Sequence, residues 1–460
     1  MSELLKLDFG SGASEFEDNL KDFFYRSVSF ALASSDKTFV IVGSKGAGKS
    51  AIFRMFGELK KEIPIFLPPN LWLAEQPSLR EHHHILVSKS LPTSQVVLWK
   101  FYIATLVAQR LSQEESLSDE LRKSLQRFLV RWEVVAPSPT IWQSLRFGQF
   151  KFGFEGVFST ELPIKIPLAV TEIDQTLLSV ANWLEQNGRT LWLSLDKLDE
   201  VSLNGNSVTH LEELLSNLMK AVSELIRFRT IRFKLFFRTD VYNALTYVNK
   251  DHFSSAKLAL RWSKEDLAIM LGYRLRPVFS RDNSAIKFPL ALQWIDEVFG
   301  WSEESVQSFE QLYSKLMDGN GDVLPRDVIN FCSAAKRAQQ AFDLQGINPP
   351  PSNKFISSQA IAQGLKETAQ SKMDDFIQVF ENYRKHFEQL RGHASRNFKR
   401  KELAAALGQA EKLDADLMIS DLVRVGAVAI KDKRVVNLSD SFEIPYLYAL
   451  ALELGEIHEY

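Results

Sequence analysis

The sequence of 460 residues contains one cysteine, Cys332, so an intramolecular disulfide is excluded. It has no apolar run approaching the roughly 20 residues that a membrane-spanning helix needs. Its first residues, MSELLKLDFGSG, lack the basic flank and the apolar core of a secretory signal. With a formal net charge of -2, no global field draws the chain to nucleic acid or to a membrane surface. These absences predict a cytoplasmic protein without a membrane partner.

The composition is that of ordinary globular protein, with 45% hydrophobic and 24% charged residues. A chain of this length is expected to form about two to four domains. Three adjacent histidines, His82, His83 and His84, have no cysteine or carboxylate set beside them. A solvated loop therefore explains these histidines better than a zinc site does.

The motif with the most chemical content fits G-x-x-x-x-G-K-[ST] and lies between a predicted strand and a predicted helix. Its residues are Gly43, Ser44, Lys45, Gly46, Ala47, Gly48, Lys49 and Ser50. The glycines would let backbone N–H groups turn inward around an anion at the start of the helix. Lys49 would neutralise the β and γ oxygens of a triphosphate, and the Ser50 hydroxyl would ligate Mg²⁺. The motif predicts that ATP and Mg²⁺ are bound here.

A second predicted strand, LWLSL at residues 191–195, ends in acids. It follows a predicted helix over residues 173–187, so it should return to the same parallel sheet, where ligands collect at the carboxyl ends of strands. We expect Asp196 beside the phosphate loop, where it would hold Mg²⁺ through water. Asp199 and Glu200 would polarise the attacking water, with Glu200 preferred. The alternative is a strand followed by an acidic surface loop.

A third predicted strand, over residues 231–237, ends in Arg238, Thr239 and Asp240. It follows an amphipathic helix predicted over residues 208–228. Arg238 could sense the γ-phosphate from the side opposite Lys49. The alternative is that it only pairs with Asp240 at the strand end.

The segments GSKGAGKS, LDKLDE and FFRTD together resemble the STAND and KAP branches of P-loop ATPases, which are relatives of the AAA+ initiator ATPases. The resemblance covers residues 15–340 or so. STAND proteins typically have LDGLDE in the second motif, where this chain has Lys197 in place of the glycine, and their arginine after the sensor strand matches Arg238. With LRWSKEDL and LPRDVINF, the chain is also similar to bacterial ATPases of largely unassigned function, some of them associated with phage defence.

The predicted lid begins with a helix over residues 260–271, in which Ser263 is placed as the N-cap and Asp266 completes a near capping box. Pro325 suits the first position of a later helix. The pair Pro325-Arg326 resembles the second sensor of AAA+ and KAP proteins, whose arginine approaches the nucleotide from the lid. An ordinary exposed arginine in a first helical turn is the alternative.

The tail begins at a proline-rich linker over residues 348–353, followed by a long helix predicted over 358–386. Helices predicted over 401–407 and 415–425, and two short strands within 427–438, describe a winged helix. Basic residues that could contact DNA phosphates are Lys399, Arg400, Lys401, Arg424, Lys431, Lys433 and Arg434. Interleaved acids favour a protein-interaction module instead, and both alternatives stay open.

We therefore predict an α/β fold with a P-loop NTPase core and parallel sheet over residues 1–255, interrupted by a β-hairpin at about 145–166. A helical lid over 256–347 follows, and residues 348–460 form the linker, the long helix and an α+β winged-helix domain. The expected function is an ATP-hydrolysing switch that acts as a homo-oligomer or on an effector protein. The alternatives are a nucleotide-gated DNA-binding protein and an ATP-bound scaffold that does not hydrolyse.

Overall fold

The computed structural model describes residues 4–77, 92–132, 162–198, 207–247, 250–280, 284–303, 306–351, 353–408, 415–432 and 435–455. The chain forms two compact units. We call residues 30–42 and 52–259 the sheet unit, and residues 1–29, 43–51 and 260–460 the lid unit.

The β-strands, numbered along the chain, are β1 (Val40–Gly43), β2 (Leu71–Glu75), β3 (Leu191–Leu195), β4 (Ile231–Arg238), β5 (Lys257–Ala259), β6 (Asn397–Lys399), β7 (Ala429–Ile430) and β8 (Ser441–Glu443). The α-helices are α1 (Leu20–Phe23), α2 (Val28–Ala33), α3 (Lys49–Glu58), α4 (Pro92–Ser112), α5 (Asp119–Arg131), α6 (Leu162–Gln186), α7 (Ser207–Leu225), α8 (Thr239–Ala244), α9 (Lys250–Ser254), α10 (Lys264–Phe279), α11 (Phe288–Val298), α12 (Phe309–Leu316), α13 (Pro325–Gln345), α14 (Ser358–Val379), α15 (Arg384–Glu388), α16 (Arg400–Gly408), α17 (Ala415–Arg424) and α18 (Tyr446–Ala451).

The first five strands form one sheet in the order β2-β3-β4-β1-β5. Its pairings are parallel, with Leu191 of β3 in register with Leu71 of β2 and with Ile231 of β4. Every residue of β3 is buried, as expected for a strand covered on both faces. The predicted α/β fold with a parallel sheet is confirmed, and β3 has the bounds predicted for it.

The core of the sheet unit is built around α4, which packs against α5, α6 and α7. Inside it, the indole N–H of Trp99 donates to the Leu214 carbonyl at 2.9 Å. The predicted β-hairpin lies mostly outside the described residues. Its last positions, 162–166, belong to α6, so the prediction is wrong for them.

The lid unit has one continuous apolar core, whose members run from Leu4 to Leu454. The helix pair α13 and α14 forms its centre, and α18 packs against α14. Where the pair crosses, a β-carbon at Gly364 would lie 2.8 Å from the Ala335 amide nitrogen, so the two backbones are close. The proline-rich segment 348–351 lies in the connection between α13 and α14, and both helices contribute side chains to this core.

The helix predicted over residues 358–386 is interrupted, and this part of the prediction is wrong. α14 ends at Val379, and Phe380 leaves the helical region with φ -122° and ψ 56°. A 3-10 turn and α15 then bring Phe387 back onto Phe376, with ring centroids 4.9 Å apart. We attribute the break to this aromatic packing, which a straight helix would not allow.

At the end of the lid unit, β6, β8 and β7 form an antiparallel sheet in that order. The second strand predicted within 427–438 is wrong, because residues 436–438 form a 3-10 turn and β8 comes later. Asp432 explains the longer connection, since it accepts bonds from the Ser439 hydroxyl at 2.5 Å and the Asp440 amide at 2.9 Å. The assignment of this region as a winged helix stays a prediction.

Across the described ranges, no helix has both the length and the apolar character that a membrane crossing requires.

Candidate nucleotide site

The predicted phosphate loop joins the end of β1 to α3, which begins at Lys49. Gly46 and Gly48 both have φ +94°, in the left-handed region that side chains rarely adopt. A β-carbon at Gly46 would also lie 2.9 Å from the Cβ of Arg326. The loop therefore has a backbone form that its glycines permit, at the amino end of a helix, where anions are favoured.

The ammonium of Lys49 is held against the loop by the loop's own carbonyls. It donates to the Gly43 oxygen at 2.9 Å and to the Ser44 oxygen at 3.1 Å. From the lid, the indole N–H of Trp262 donates to the Ala47 oxygen at 2.9 Å. Ser50, in the first turn of α3, is half-buried. The predicted roles of Lys49 toward phosphate and of Ser50 toward Mg²⁺ stay predictions.

Arg326 lies directly against the phosphate loop. Its backbone N–H is 3.4 Å from the Gly46 oxygen, and its Nε donates to the Gly12 oxygen at 3.0 Å. Its side chain is 23% exposed, so it is not an ordinary surface arginine. Pro325 occupies the first position of α13, and Ser263 and Asp266 form a full capping box at the start of α10. The role of Arg326 toward a nucleotide stays a prediction.

A carboxylate on α14 joins this site, and the sequence did not reveal it. The Oδ1 of Asp375 lies 2.6 Å from the Lys45 ammonium, and its Oδ2 lies 3.5 Å from Arg326. Gln378 accepts a further bond from Lys45 at 3.0 Å. Asp375 is 330 residues from Lys45 in the chain, and nothing in its local pattern marks it as a loop contact.

Within the sheet unit, Asp196 is 2% exposed and follows the last residue of β3. Its amide donates to the Glu75 carbonyl at 3.2 Å, and the Gln76 side chain donates to its Oδ2 at 3.5 Å. Burial raises the pKa of Glu75. Glu75, the last residue of β2, and Gln76 were missed, although polar residues at the end of an apolar strand follow the same pattern that identified Asp196.

The strand order refines where Asp196 lies. Because β4 stands between β3 and β1, Asp196 follows a strand two places from the phosphate-loop strand. Neighbouring strands are about 4.8 Å apart, so the two strand ends are separated by roughly 10 Å. Magnesium binding by Asp196 stays a prediction.

Lys197 has φ +57°, a left-handed conformation in which a non-glycine residue is uncommon. This is the position at which the resembling STAND motif has glycine, so the departure in sequence coincides with a strained backbone. Asp199 and Glu200, which follow Leu198, lie outside the described residues, and their predicted roles stay predictions.

Arg238 is the last residue of β4, between the other two strand ends. Its Nε donates to Asp240 Oδ1 at 3.1 Å, and its Nη2 contacts the other oxygen. Burial alone would raise the pKa of Asp240, but the guanidinium outweighs it and holds the pKa below its usual value. Arg238 is thus in the ion pair that the alternative interpretation described, and its sensing role stays a prediction.

Several cations proposed to contact DNA are paired with acids. Arg400 lies 2.5 Å from Asp416, Arg424 lies 2.9 Å from Asp421, and Lys431 lies 3.5 Å from Glu443. Lys399 and Lys401 are exposed, while Lys433 and Arg434 lie outside the described residues.

In the described part of the chain, no three histidine, cysteine or acidic side chains group as a protein-only metal site. The residues 82–84 lie outside that part. In phosphoryl-transfer sites, Mg²⁺ is generally bound by one or two protein oxygens together with waters and phosphate oxygens, so such a site needs no protein-only cluster.

No protein family and no curated protein matches the sequence. Among solved structures, the chain is similar to Cdc6p from Pyrobaculum aerophilum, with 10% identity, 90% of this chain and 85% of that chain covered, and a TM-score of 0.28. It is also similar to the Aeropyrum pernix ORC2 protein in its ADPNP-ADP complexes, with 12% identity, 94% and 96% covered, and a TM-score of 0.33. Overlap this low identifies neither a family nor a function. The fold class rests on the strand order and the phosphate loop of the chain itself.

Proposed function

We propose that the chain binds ATP with Mg²⁺ at the phosphate loop and hydrolyses it, and that its nucleotide state acts as a switch. The observation that carries the proposal is the loop itself. Gly46 and Gly48 are in the left-handed region, Lys49 is held at the loop, and Arg326 packs against it. Glycines in this conformation at a helix start are typical of backbones that bind anions, which supports the proposal.

Binding would use two cations from different elements. Lys49 would exchange the Gly43 and Ser44 carbonyls for phosphate oxygens, which form stronger charge-assisted bonds. Arg326 would add a planar guanidinium from the lid, already placed at the loop. Ser50 and Asp196 would hold Mg²⁺, which would neutralise charge on the phosphate oxygens.

Hydrolysis would rest on the acids after β3. Glu200 would orient and deprotonate the attacking water, and Asp199 would support it. Gln76 would keep the Asp196 carboxylate oriented through their bond. Arg238, oriented by Asp240, would offer a guanidinium to the charge that develops on the transferred phosphate.

The switch would act on a second copy of the chain or on an effector protein, and the resemblance suggests bacterial antiphage defence as its setting. DNA is the weaker partner, because Arg400, Arg424 and Lys431 are each bound to a carboxylate. Sedimentation velocity with Mg-ADP and with a non-hydrolysable ATP analogue tests the switch directly. The same sedimentation coefficient with both nucleotides, for the protein alone and with a candidate effector protein added, would contradict the switch.

The catalytic proposal is tested by measuring nucleotide-induced thermal stabilisation and phosphate release on the same preparations. We expect Lys49→Ala to lose the stabilisation. We expect Glu200→Gln to keep it while releasing phosphate at least about 100-fold more slowly, the usual scale for removing a general base. Lys61→Ala, an exposed lysine in the loop after α3, is the matched control. Equal stabilisation of wild type and Glu200→Gln, with no release by wild type, would select the non-hydrolysing scaffold.

A further inference from the structure

The carboxylate of Asp375 joins two cations of the candidate site. Its Oδ1 takes the ammonium of Lys45 at 2.6 Å, and its Oδ2 faces the Arg326 guanidinium at 3.5 Å. Lys45 belongs to the phosphate loop, and Arg326 to the start of α13. The two oxygens of one carboxylate on α14 therefore contact the same two cations that a polyphosphate would bind.

The position of Asp375 is fixed by a neighbouring buried pair. Lys372 lies one helical turn earlier on α14 and bonds Asp327 at 2.6 Å, while Asp327 follows Arg326 on α13. Residues three apart lie on one face of a helix, so this pair holds the same face of α14 against α13. Asp375 is therefore presented to the loop by a rigid element.

The carboxylate of Asp375 lies in an electrostatic setting that its two cations dominate. It lies near the carboxyl end of α14, where the helix dipole disfavours negative charge. Lys45 and Arg326 offset that cost. A polyphosphate that drew both cations away would leave the carboxylate close to further negative charge, and two like charges at short range repel.

We propose that Asp375 is a built-in competitor of the nucleotide phosphates for Lys45 and Arg326. The inference rests on the proposed ATP binding and names a regulation of the same site. Phosphate binding takes Lys45 and Arg326 from the carboxylate, and α14 thereby loses its two ionic ties to the loop and to the start of α13. The nucleotide state thus changes the contacts of α14, the long helix that precedes the C-terminal sheet in the chain.

A different role for the same contacts makes the opposite prediction. If Asp375 positioned the two cations for the nucleotide, its neutralisation would weaken binding. If it competes, neutralisation strengthens binding. The side chains of Lys45 and Asp375 are 34% and 32% exposed, so solvent screens the pair and the gain is moderate.

The test is a titration of the full chain with a fluorescent ATP analogue and Mg²⁺, in wild type, Asp375→Asn and Asp374→Asn. Asp374 is exposed, accepts a bond from Gln370 within the same helix, and gives the same charge change beside the site. We expect Asp375→Asn to bind about three- to tenfold more tightly, and Asp374→Asn to match wild type. In a Lys45→Gln background the gain from Asp375→Asn should shrink.

Binding by wild type without tighter binding by Asp375→Asn would overturn the inference and leave the proposed function standing. An equal gain in Asp374→Asn would overturn it too, because the effect would then be general electrostatics. Binding by Asp375→Asn when wild type binds undetectably would support it. No binding by either protein would overturn both proposals.

Discussion

Lys372 of α14 and Asp327 of α13 form an ion pair at 2.6 Å with side chains only 11% and 6% exposed. Burial alone would lower the pKa of Lys372, but the Asp327 carboxylate outweighs it and raises the pKa above its ordinary value. The lysine is therefore charged in the folded protein at all ordinary pH values, and its loss would leave a buried carboxylate alone.

We expect Lys372→Met to lower the free energy of unfolding by about 3 kcal/mol, because removing one partner of a buried pair strands the other. Adding Asp327→Leu to that variant should recover much of the loss, since two apolar groups replace two charges. Urea denaturation of both variants measures this. Lys366→Met, at an exposed position of the same helix, should change little. A loss in Lys366→Met as large as in Lys372→Met would contradict the explanation.

Gly46→Ala should abolish nucleotide-induced stabilisation while the protein still folds. The new methyl group would meet the Cβ of Arg326 at 2.9 Å, at a φ of +94°. Gly321→Ala is the matched control, because Gly321 has φ +80° in the same unit, yet a β-carbon there would meet no neighbouring described atom within 4 Å. Gly321→Ala should lose about 1 kcal/mol of stability from backbone strain, Gly46→Ala should lose more because of the added contact, and only Gly46→Ala should lose the nucleotide response. Thermal shift with Mg-ATP separates them. If both variants kept the response, the Arg326 contact would not matter.

Lys234 gives a pH-dependent prediction for the sheet unit. This fully buried lysine donates to the carbonyls of Ala33 at 2.8 Å and Thr38 at 2.6 Å, and also to that of Ser35. Burial lowers its pKa to about 7, against an ordinary value of 10.5. Between those two pH values the unfolded chain binds more protons at this lysine than the folded chain does. The free energy of unfolding therefore increases as the pH rises and decreases as the pH falls.

We therefore expect the destabilisation caused by Lys234→Met to grow from pH 7 to pH 9, by about 2 kcal/mol. Urea denaturation at the two pH values measures it. Lys220→Met, at a half-buried position of α7, is the control for the loss of one positive charge in the same unit. A pH-independent difference between wild type and Lys234→Met would mean that the lysine titrates normally.

Any contact of the C-terminal region with DNA should depend on Lys399 and Lys401, since Arg400 beside them is bound to Asp416. We expect reversal of both lysines to glutamate to weaken duplex binding and to lower the slope of affinity against salt by about 2. Reversal of the exposed pair Lys60 and Lys61 changes the net charge equally and should have little effect. The absence of binding at low salt in wild type would exclude DNA as a partner.

Local patterns predicted the strand, loop and helix around residues 40–58 and the strands β3 and β4, but not β2 and β5. A strand before Gly43, a helix from Lys49 and the buried strand over residues 191–195 follow from apolar runs and from one motif. The capping box at Ser263 and Asp266 is a local signal of the same kind. Such features need no knowledge of distant partners, because their causes lie within a few residues.

Features that depend on long-range packing were not predictable in this way. The break after Val379 comes from the contact of Phe376 with Phe387, which a helical pattern does not show. Asp375 contacts Lys45, which is 330 residues away in the chain. The strand order, with β4 between β1 and β3, likewise depends on the whole sheet and not on any one segment.

The close crossing of α13 and α14 has a consequence for shortened forms of the protein. Gly364 lets the second helix approach the Ala335 backbone, and the apolar core continues across the proline-rich segment between them. A chain cut after residue 347 would leave the face of α13 open to water and should aggregate. The predicted lid (residues 256–347) and the tail (348–460) should unfold together in a single cooperative transition. A protease should release neither of them as a stable fragment.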